Sequence, residues 1–354
     1  MAILPCGVHS TTYRQDKAFI RTPAQWVCLI AFLCLVFSLP LFMSPRILSI
    51  LIVMAITSVA VVGLQITSGM TGQINLGQSA FMGMGAFTAA SLSTHFNLPF
   101  WLSIPAGGIG GALLGTIFGI PALRVKGFYL ALTTIAAQIL FPLIIMRLPS
   151  GWFGGPNGLG LNPARIGNLV FQSEQSLYYL IMSVTVIMIS FAFNLYRSRV
   201  GRALMAVRDN DIVAEIIGVN LFTYKTLAFA IGSLFAGIAG ALWAYYVRYV
   251  MVDQFSLWFS VWYLGMIIVG GVGSVFGAIL GTIFLRGLQE LITVSGPLLG
   301  QILPELGGGA VWFSGMNIIL GGVIIVFLIF EPRGLAHRWN IIKHSLRIWP
   351  YPYF

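Results

Sequence analysis

Long apolar runs separated by short polar stretches recur along most of the chain. A helix needs about 20 apolar residues to cross the hydrocarbon core of a bilayer. The runs are too long for strands and lack the alternation of apolar and polar positions that a strand would show. The pattern therefore predicts an all-α polytopic membrane protein with about ten spans, of which the glycine-rich run 76–93 could be a broken or re-entrant segment. The predicted spans are 24–43, 47–68, 76–93, 100–123, 128–146, 177–196, 225–247, 255–272, 275–294 and 312–330.

The composition supports a lipid environment. Of the 354 residues, 58% are hydrophobic and 8% are charged, whereas soluble domains carry about 25% charged residues. Nine acidic and nineteen basic residues cannot cover a water-exposed surface of this size, so a soluble enzyme is excluded. The formal net charge of +10 does not indicate a nucleic-acid partner, because the basic residues lie between apolar runs and not in blocks.

The basic residues are distributed unevenly between the two sides of the predicted bundle. With ten spans both termini lie on one side, and that side collects most of the Lys and Arg residues. The positive-inside rule therefore predicts that both termini are cytoplasmic. The chain divides into a cytoplasmic N-terminal segment 1–23, a transmembrane domain 24–330 and a cytoplasmic tail 331–354. Within the domain, the loop 197–224 is the most charged stretch and is predicted to be cytoplasmic.

A polar, glycine-rich segment follows the second predicted span, between Gly69 and Ala90. Irregular backbone at membrane depth is tolerated where it is buried in protein or lines a water-filled cavity. A broken helix beside a solute path would meet this condition, and a polar cytoplasmic hairpin followed by a packed helix is the alternative. The candidate pathway residues are Gly72, Gln73, Asn75, Gln78 and Ser79.

The loop 197–224 has an amphipathic pattern that begins at Val200 and ends at a plausible helix stop, Gly218. We expect one helix over 201–218, with Arg208, Asp211 and Glu215 along one face. Docking to a soluble partner would explain its density of alternating charge, and a solvated connector is the alternative. The expected apolar ridge is Leu204, Ile212 and Ile216, and the candidate coupling residues are Gly201, Arg202, Arg208, Asp211, Glu215 and Gly218.

Motifs for nucleotide hydrolysis and for common enzymatic chemistry are missing from the sequence. No lysine follows a glycine, so a P-loop cannot occur, and neither G-x-S-x-G nor H-E-x-x-H is present. Arg286 and Glu290 form the one pair of opposite charges inside a predicted span. Their i,i+4 spacing allows mutual neutralisation, which predicts a structural pair, although a charge inside a membrane is a functional candidate by default.

Small residues recur every four positions in three predicted spans. Such a stripe lets two helices approach closely in lipid, where van der Waals packing drives association. We expect tight packing within the chain, and a subunit interface is the alternative. The stripes are Gly107, Gly111, Gly115 and Gly119; Gly232, Ala236 and Gly240; and Gly273, Gly277 and Gly281.

Five motifs occur in order between about residue 45 and residue 337: Thr71–Phe81, Gly127–Thr134, Gly201–Gly218, Gly270–Ala278 and Glu331–Leu335. Together they resemble the permeases of branched-chain amino-acid ABC importers. The Gly-Gly-Pro-Asn-Gly-Leu turn and the closing Glu-Pro-Arg-Gly-Leu favour the LivM-like subunit over its LivH-like partner. Asn75 stands where serine is common in that family, and Arg286 is an unusual charge in its span, so the solute stays open.

The resemblance implies an ABC importer permease fold in the bacterial inner membrane. In that family a LivM-like chain pairs with a LivH-like chain, two cytoplasmic ATPase subunits bind ATP and Mg, and a periplasmic binding protein delivers the solute. This chain would then hold no cofactor and would not be an enzyme. The solute would be a branched-chain amino acid or a similar small polar solute, such as urea, an amide or an aromatic acid. A stand-alone ion-coupled secondary transporter is the alternative, but it would need intramembrane acids, and Glu290 is the one available.

Overall fold

The computed structural model describes residues 23–122, 128–166, 169–302 and 308–348. Within these ranges the fold consists of fourteen α-helices with short connections. The long helices are α1 (Pro23–Phe42), α2 (Pro45–Leu64), α3 (Gln78–His95), α4 (Phe100–Ala122), α5 (Phe128–Arg147), α7 (Glu174–Arg197), α10 (Leu221–Val247), α11 (Leu257–Gly270), α12 (Val275–Ile302) and α13 (Gly308–Phe330). The shorter helices are α6 (Ser150–Phe153), α8 (Arg199–Asp209), α9 (Asp211–Ile216) and α14 (Gly334–Ile348).

The predicted membrane architecture is confirmed in the described part of the chain. Eight helical stretches are long and apolar enough to cross a membrane, and α13 with α14, which meet at a bend of 51°, add a ninth if they are taken together. The glycine-rich run 76–93 corresponds to α3, a continuous helix of 18 residues that is not among the qualifying spans. The break lies before α3, where α2 continues into a π-helix over Gln65–Met70 and then into irregular chain over 72–77.

Helix α10 lies at the centre of the bundle and packs against α2, α3 and α4. The glycine stripe of α4 faces it, because a Cβ atom built on Gly111 would lie 2.8 Å from the Cα atom of Gly237. On another face of α10, a Cβ atom on Gly232 would lie 2.7 Å from the carbonyl oxygen of Gly63 in α2. In α12, a Cβ atom on Gly277 would lie 2.7 Å from the carbonyl oxygen of Gly270. The stripes therefore serve close packing within the chain, as expected.

Two short antiparallel ladders lie at the end of the bundle where α7 begins and α10 ends. Strand β1 (Leu159–Gly160) pairs with β4 (Tyr249–Val250), and β2 (Arg165–Ile166) pairs with β3 (Leu169–Val170). Helices α8 and α9 follow the other end of α7 and precede the first turn of α10. The chain thus separates a face with β-hairpin loops from a face with short charged helices.

The loop 197–224 contains two helices, so the expectation of one helix over 201–218 was wrong. Asn210 has extended backbone geometry (φ −160°) between α8 and α9. Its side-chain oxygen accepts a hydrogen bond from the Val213 N–H at 3.1 Å and caps the N-terminus of α9. Asparagine favours such caps over helix interiors because its side chain replaces a backbone acceptor.

Candidate functional site

The break between α2 and α3 is the most polar part of the buried structure. Gln73, Asn75, Gln78 and Ser79 are all buried, whereas Gly72 is exposed. Gly72 has a φ of +70°, a left-handed conformation that glycine adopts without steric cost. The break therefore brings the predicted pathway residues together, with the four polar side chains packed inside the chain in this conformation.

Side chains from distant helices cap the first N–H groups of α3. The Ser79 N–H donates to the hydroxyl of Ser260 in α11 at 2.9 Å. The Ala80 N–H donates to the amide oxygen of Gln138 in α5 at 2.8 Å, and Ser260 donates to the same oxygen at 3.2 Å. The N-terminal N–H groups of a helix have no intrahelical acceptor, and hydrocarbon offers no water to replace one. Gln138 and Ser260 therefore make this broken helix tolerable at membrane depth.

Two side chains of the break tie together three helices. Asn75 donates to the side-chain oxygen of Gln78 at 3.0 Å. Gln78 donates in turn to the carbonyl oxygens of Ala60 in α2, at 2.8 Å, and Gly232 in α10, at 3.3 Å. A change in the conformation of the break would therefore have to break the hydrogen bonds that Gln78 makes to α2 and α10.

Arg208, near the C-terminus of α8, reaches back to this break. Its Nη1 atom donates to the carbonyl oxygen of Gly69 in the π-helix at 2.9 Å. A Cβ atom on Gly72 would lie 3.1 Å from Arg208 Cγ, and one on Gly273, in the turn between α11 and α12, would lie 2.7 Å from Arg208 Nη1. We call Arg208, Gly69, Gly72 and Gly273 the Arg208 junction. It joins the short charged helices directly to the break and to the α11–α12 turn.

A second contact strengthens the connection between the break and the α11–α12 turn. The side-chain amide of Gln65 is assigned the orientation that satisfies its neighbours. In that orientation its oxygen accepts hydrogen bonds from the N–H groups of Gly273 and Ser274. Gly273 has a φ of +91°, so the turn depends on glycine at this position. The π-helix and the turn therefore form one hydrogen-bonded unit, and Arg208 contacts both of its parts.

The closing Glu-Pro-Arg-Gly-Leu motif packs against the same turn. Glu331 pairs with Arg338 of α14. A Cβ atom on Gly334 would lie 2.5 Å from the backbone of Gly271, and Gly334 has a φ of +73°. The motif thus places the start of α14 beside the α11–α12 turn.

The predicted coupling residues do not share one face, which corrects the expectation for Arg208, Asp211 and Glu215. Arg208 contacts the Gly69 carbonyl oxygen, Asp211 pairs with Lys225 of α10 at 3.6 Å, and Glu215 is exposed. The break at Asn210 changes the direction of the chain between them. Of the others, Gly201 is buried in the first turn of α8, Arg202 is exposed and donates to the carbonyl oxygen of Arg197, and Gly218 has a φ of +89°.

An apolar patch is exposed on α9 and the first turn of α10. Leu204 is fully buried, so it does not belong to the ridge that the sequence predicted. Glu215 and Lys225 line a groove of about 500 Å³ next to this patch. Contiguous exposed apolar residues rimmed by charge mark an interaction surface. The patch consists of Ile212, Val213, Ile216, Ile217 and Phe222.

Arg286 and Glu290 do not form the ion pair that their spacing predicted. Glu290 pairs with Arg46 of α2, with 3.5 Å between Arg46 Nη2 and Glu290 Oε1. Arg286 donates from Nη1 to the side-chain oxygen of Gln289 at 3.0 Å. Arg46 lies 244 residues before Glu290 in the chain. A local spacing therefore could not have indicated this pair.

Residues 46–328 match the protein family described as branched-chain amino acid transport system / permease component. The high-affinity branched-chain amino acid transport system permease protein LivM of Escherichia coli (strain K12) is 29% identical over 339 residues, covering 89% of this chain and 75% of LivM. The autoinducer 2 import system permease protein LsrC of Photorhabdus laumondii subsp. laumondii is 27% identical over 262 residues, covering 72% and 70%. The probable branched-chain amino acid transport permease protein LivH of Methanocaldococcus jannaschii is 23% identical over 295 residues, covering 80% and 90%. No solved structure matches the chain.

Proposed function

The chain belongs to the branched-chain amino acid transport permease family, and from this premise we propose that it is the LivM-like membrane subunit of an ATP-driven importer. Its solute is a branched-chain amino acid or a similar small polar molecule. The chain hydrolyses no ATP itself and holds no cofactor, since ATP and Mg are bound by separate ATPase subunits. The names of the relatives refer to amino acids in one case and to autoinducer 2 in another. They therefore support solute import more strongly than any particular solute.

The Arg208 junction is the observation that carries the proposal. An importer without its own ATPase site must receive mechanical work through a surface that a soluble subunit can contact. The apolar patch on α9 offers such a surface, and α8 connects it to the broken helix through the 2.9 Å hydrogen bond between Arg208 and Gly69. Movement of α8 and α9 would therefore act directly on the break between α2 and α3.

The proposed assembly has three kinds of protein partner. A LivH-like permease pairs with this chain, two ATPase subunits bind the cytoplasmic α8–α9 surfaces, and a periplasmic binding protein delivers the solute to the face that carries the β-hairpin loops. The complex lies in the bacterial inner membrane, surrounded by lipid, with both termini of this chain cytoplasmic. The concentration of basic residues on the α8–α9 side supports this orientation.

The break between α2 and α3 is proposed to border the solute path. Single cysteines at Gln73, Asn75 and Gln78, which are buried here, should be protected from water-soluble thiol reagents in one ATPase state and labelled in another. The variants need a background in which the native cysteines are replaced. Protection that does not change with ATP, ADP or a trapped transition-state analogue would contradict a role near the path.

The function is tested by uptake of radiolabelled leucine into proteoliposomes. Vesicles with this chain, its LivH-like partner, both ATPases and the binding protein should accumulate leucine when ATP is supplied on the ATPase side. Vesicles with this chain alone and a proton or sodium gradient should accumulate none. Gradient-driven uptake by the chain alone would instead support an ion-coupled secondary transporter.

The coupling surface has its own test in the same preparation. Glu215→Ala alters the charge beside the apolar patch, and Gly218→Leu forces a bulky residue into a φ of +89°. Both variants should insert into the membrane normally. Each should lower either the amount of ATPase subunit that co-purifies or the solute-stimulated ATPase activity. Wild-type assembly and stimulation in both variants would mean that the coupling surface lies elsewhere.

A further inference from the structure

A cavity of about 200 Å³ lies between α2 and α12, away from the Arg208 junction. Arg286, Gln289 and Glu290 of α12 line one wall. Arg286 is eleven residues past the start of α12 and lies within Val275–Ser295, a stretch long and apolar enough to cross a membrane. Charged side chains within such a stretch face a water-filled cavity or protein, because exposure to lipid would be costly.

Arg286 lines this cavity but pairs with no carboxylate in the described part of the chain, because Glu290 pairs with Arg46 instead. The Nη1 atom of Arg286 donates to Gln289, but its Nε atom is buried and makes no hydrogen bond within the described part of the chain. A guanidinium carries five N–H donors in a planar fork that fits a carboxylate with two parallel hydrogen bonds. A largely buried guanidinium without a counter-charge is costly, so the cavity favours an anionic ligand at Arg286.

Glu290 supplies the opposite charge one helical turn farther along the same wall. Residues at i and i+4 on a helix have Cβ atoms about 5–6 Å apart. The ion pair of Glu290 with Arg46 is long, at 3.5 Å, and the Arg46 side chain is 68% exposed, so it contributes little stability. A ligand cation can therefore replace Arg46 at Glu290 at small cost. The wall thus presents a cation and an anion on one face of α12, the two charges that a zwitterionic ligand would need.

The facing wall on α2 is largely apolar. Ile50, Val53 and Met54 line the cavity, and their spacing of three and four residues puts them on one face of the helix. An aliphatic side chain placed against them would be removed from water, while the hydroxyl groups of Ser49 and Thr293 line the rest of the cavity. A ligand with a charged head and an aliphatic tail matches both walls.

We propose that the cavity between α2 and α12 is a permease site for a zwitterionic α-amino acid with an aliphatic side chain. The carboxylate binds Arg286, the ammonium group binds Glu290, and the side chain packs against Val53 and Met54. The proposal rests on the proposed function, and it gives the permease chain a recognition site of its own in addition to the binding protein.

The test is equilibrium binding of tritiated leucine to the complex of permeases and ATPases in lipid nanodiscs, without the binding protein and without nucleotide. Arg286→Gln and Glu290→Gln should each weaken leucine binding at least about tenfold, because each removes one charge-assisted contact. Arg147→Gln, which changes an exposed arginine at the end of α5, is the matched control and should bind as the wild type does. Leucinamide, which lacks the carboxylate, and 4-methylpentanoate, which lacks the ammonium group, should compete at least about tenfold less well than leucine.

Thermal unfolding of each variant separates loss of the site from loss of the fold. Removal of a poorly satisfied buried charge should leave the melting temperature of Arg286→Gln equal to or above that of the wild type. The proposal would be overturned by absence of saturable leucine binding to the wild type, by variants that bind leucine as tightly as the wild type, or by analogues that compete as well as leucine. Loss of the second permease from the Arg286→Gln complex would assign the charges to a subunit interface and would overturn it as well.

The binding assay needs no ATP turnover, so its result is independent of the uptake experiment. If leucine binds at Arg286 but ATP drives no uptake, the transport proposal fails and the site stands. If uptake occurs and both variants bind leucine normally, the importer proposal stands and the site fails.

Discussion

Replacing Arg208 with methionine should uncouple ATP hydrolysis from transport. Methionine keeps an unbranched apolar side chain about as long as the aliphatic part of arginine, so the packing of α8 should survive. It removes the hydrogen bond to the Gly69 carbonyl oxygen and the ion pair with Asp209. We therefore expect the ATPases to remain bound, while leucine accumulated per ATP hydrolysed falls.

The expected size of the effect follows from these two contacts. A hydrogen bond from a charged donor contributes about 1.5–3 kcal/mol. The pair with Asp209 contributes about 0–1 kcal/mol, because the Asp209 side chain is 67% exposed. If the Gly69 contact favours one of two conformations of the break, its loss changes the ratio of those conformations by about 10- to 150-fold. A ligand or contact can shift an equilibrium only by the difference between its energies in the two states.

The assay measures leucine uptake and ATP hydrolysis in the same proteoliposomes. Arg199→Met is the matched control, since Arg199 begins the same helix and is exposed. The control should keep the wild-type ratio of leucine to ATP. A wild-type ratio in Arg208→Met, with both proteins equally well assembled, would refute the idea that Arg208 transmits the movement of α8.

Two further substitutions test the packing and the hydrogen bonds that hold the break. Gly237→Val should lower the melting temperature and the yield of folded protein, because a Cβ atom there would lie 2.5 Å from a carbonyl oxygen of α4. Such overpacking costs about 1–3 kcal/mol or more. The control Gly322→Val, at a position with open space around it, should change neither quantity. Gln138→Leu should destabilise the protein by about 1–3 kcal/mol for each buried group left unpaired, one of which is the Ala80 N–H. In thermal unfolding, Gln172→Leu at an exposed position should have little effect, and equal melting temperatures for the two leucine variants would contradict the capping role.

The spans were predictable because a bilayer imposes a minimum length on each apolar run. A break near the amide cluster was predictable for a related reason, since amides among glycines cannot continue an ordinary lipid-facing helix. Its location was only partly predicted, because the break precedes α3, the continuous helix that corresponds to the run 76–93. The glycine stripes also predicted tight packing, but their partners became known only with the arrangement of α4 around α10.

The sequence could not reveal contacts between residues that are far apart along the chain. Glu290 pairs with Arg46 and not with Arg286, although the local spacing favours the latter pair. Gln138 and Ser260 were missed as partners of α3, and the signal for them was a polar side chain in the middle of an apolar run. The division of the loop at Asn210 was visible in principle, because asparagine is a strong N-cap.

The capping of α3 also sets an order of events during synthesis of the protein. Ser79 and its partner Ser260 are separated by 181 residues, and Ala80 and its partner Gln138 by 58. At an elongation rate of about 5–20 residues per second, Gln138 emerges about 3–12 s after Ala80, and Ser260 about 9–36 s after Ser79. During that interval the start of α3 cannot be enclosed by lipid without unpaired N–H groups. The nascent segment must therefore stay beside water or the insertion machinery until α5 and α11 have been made.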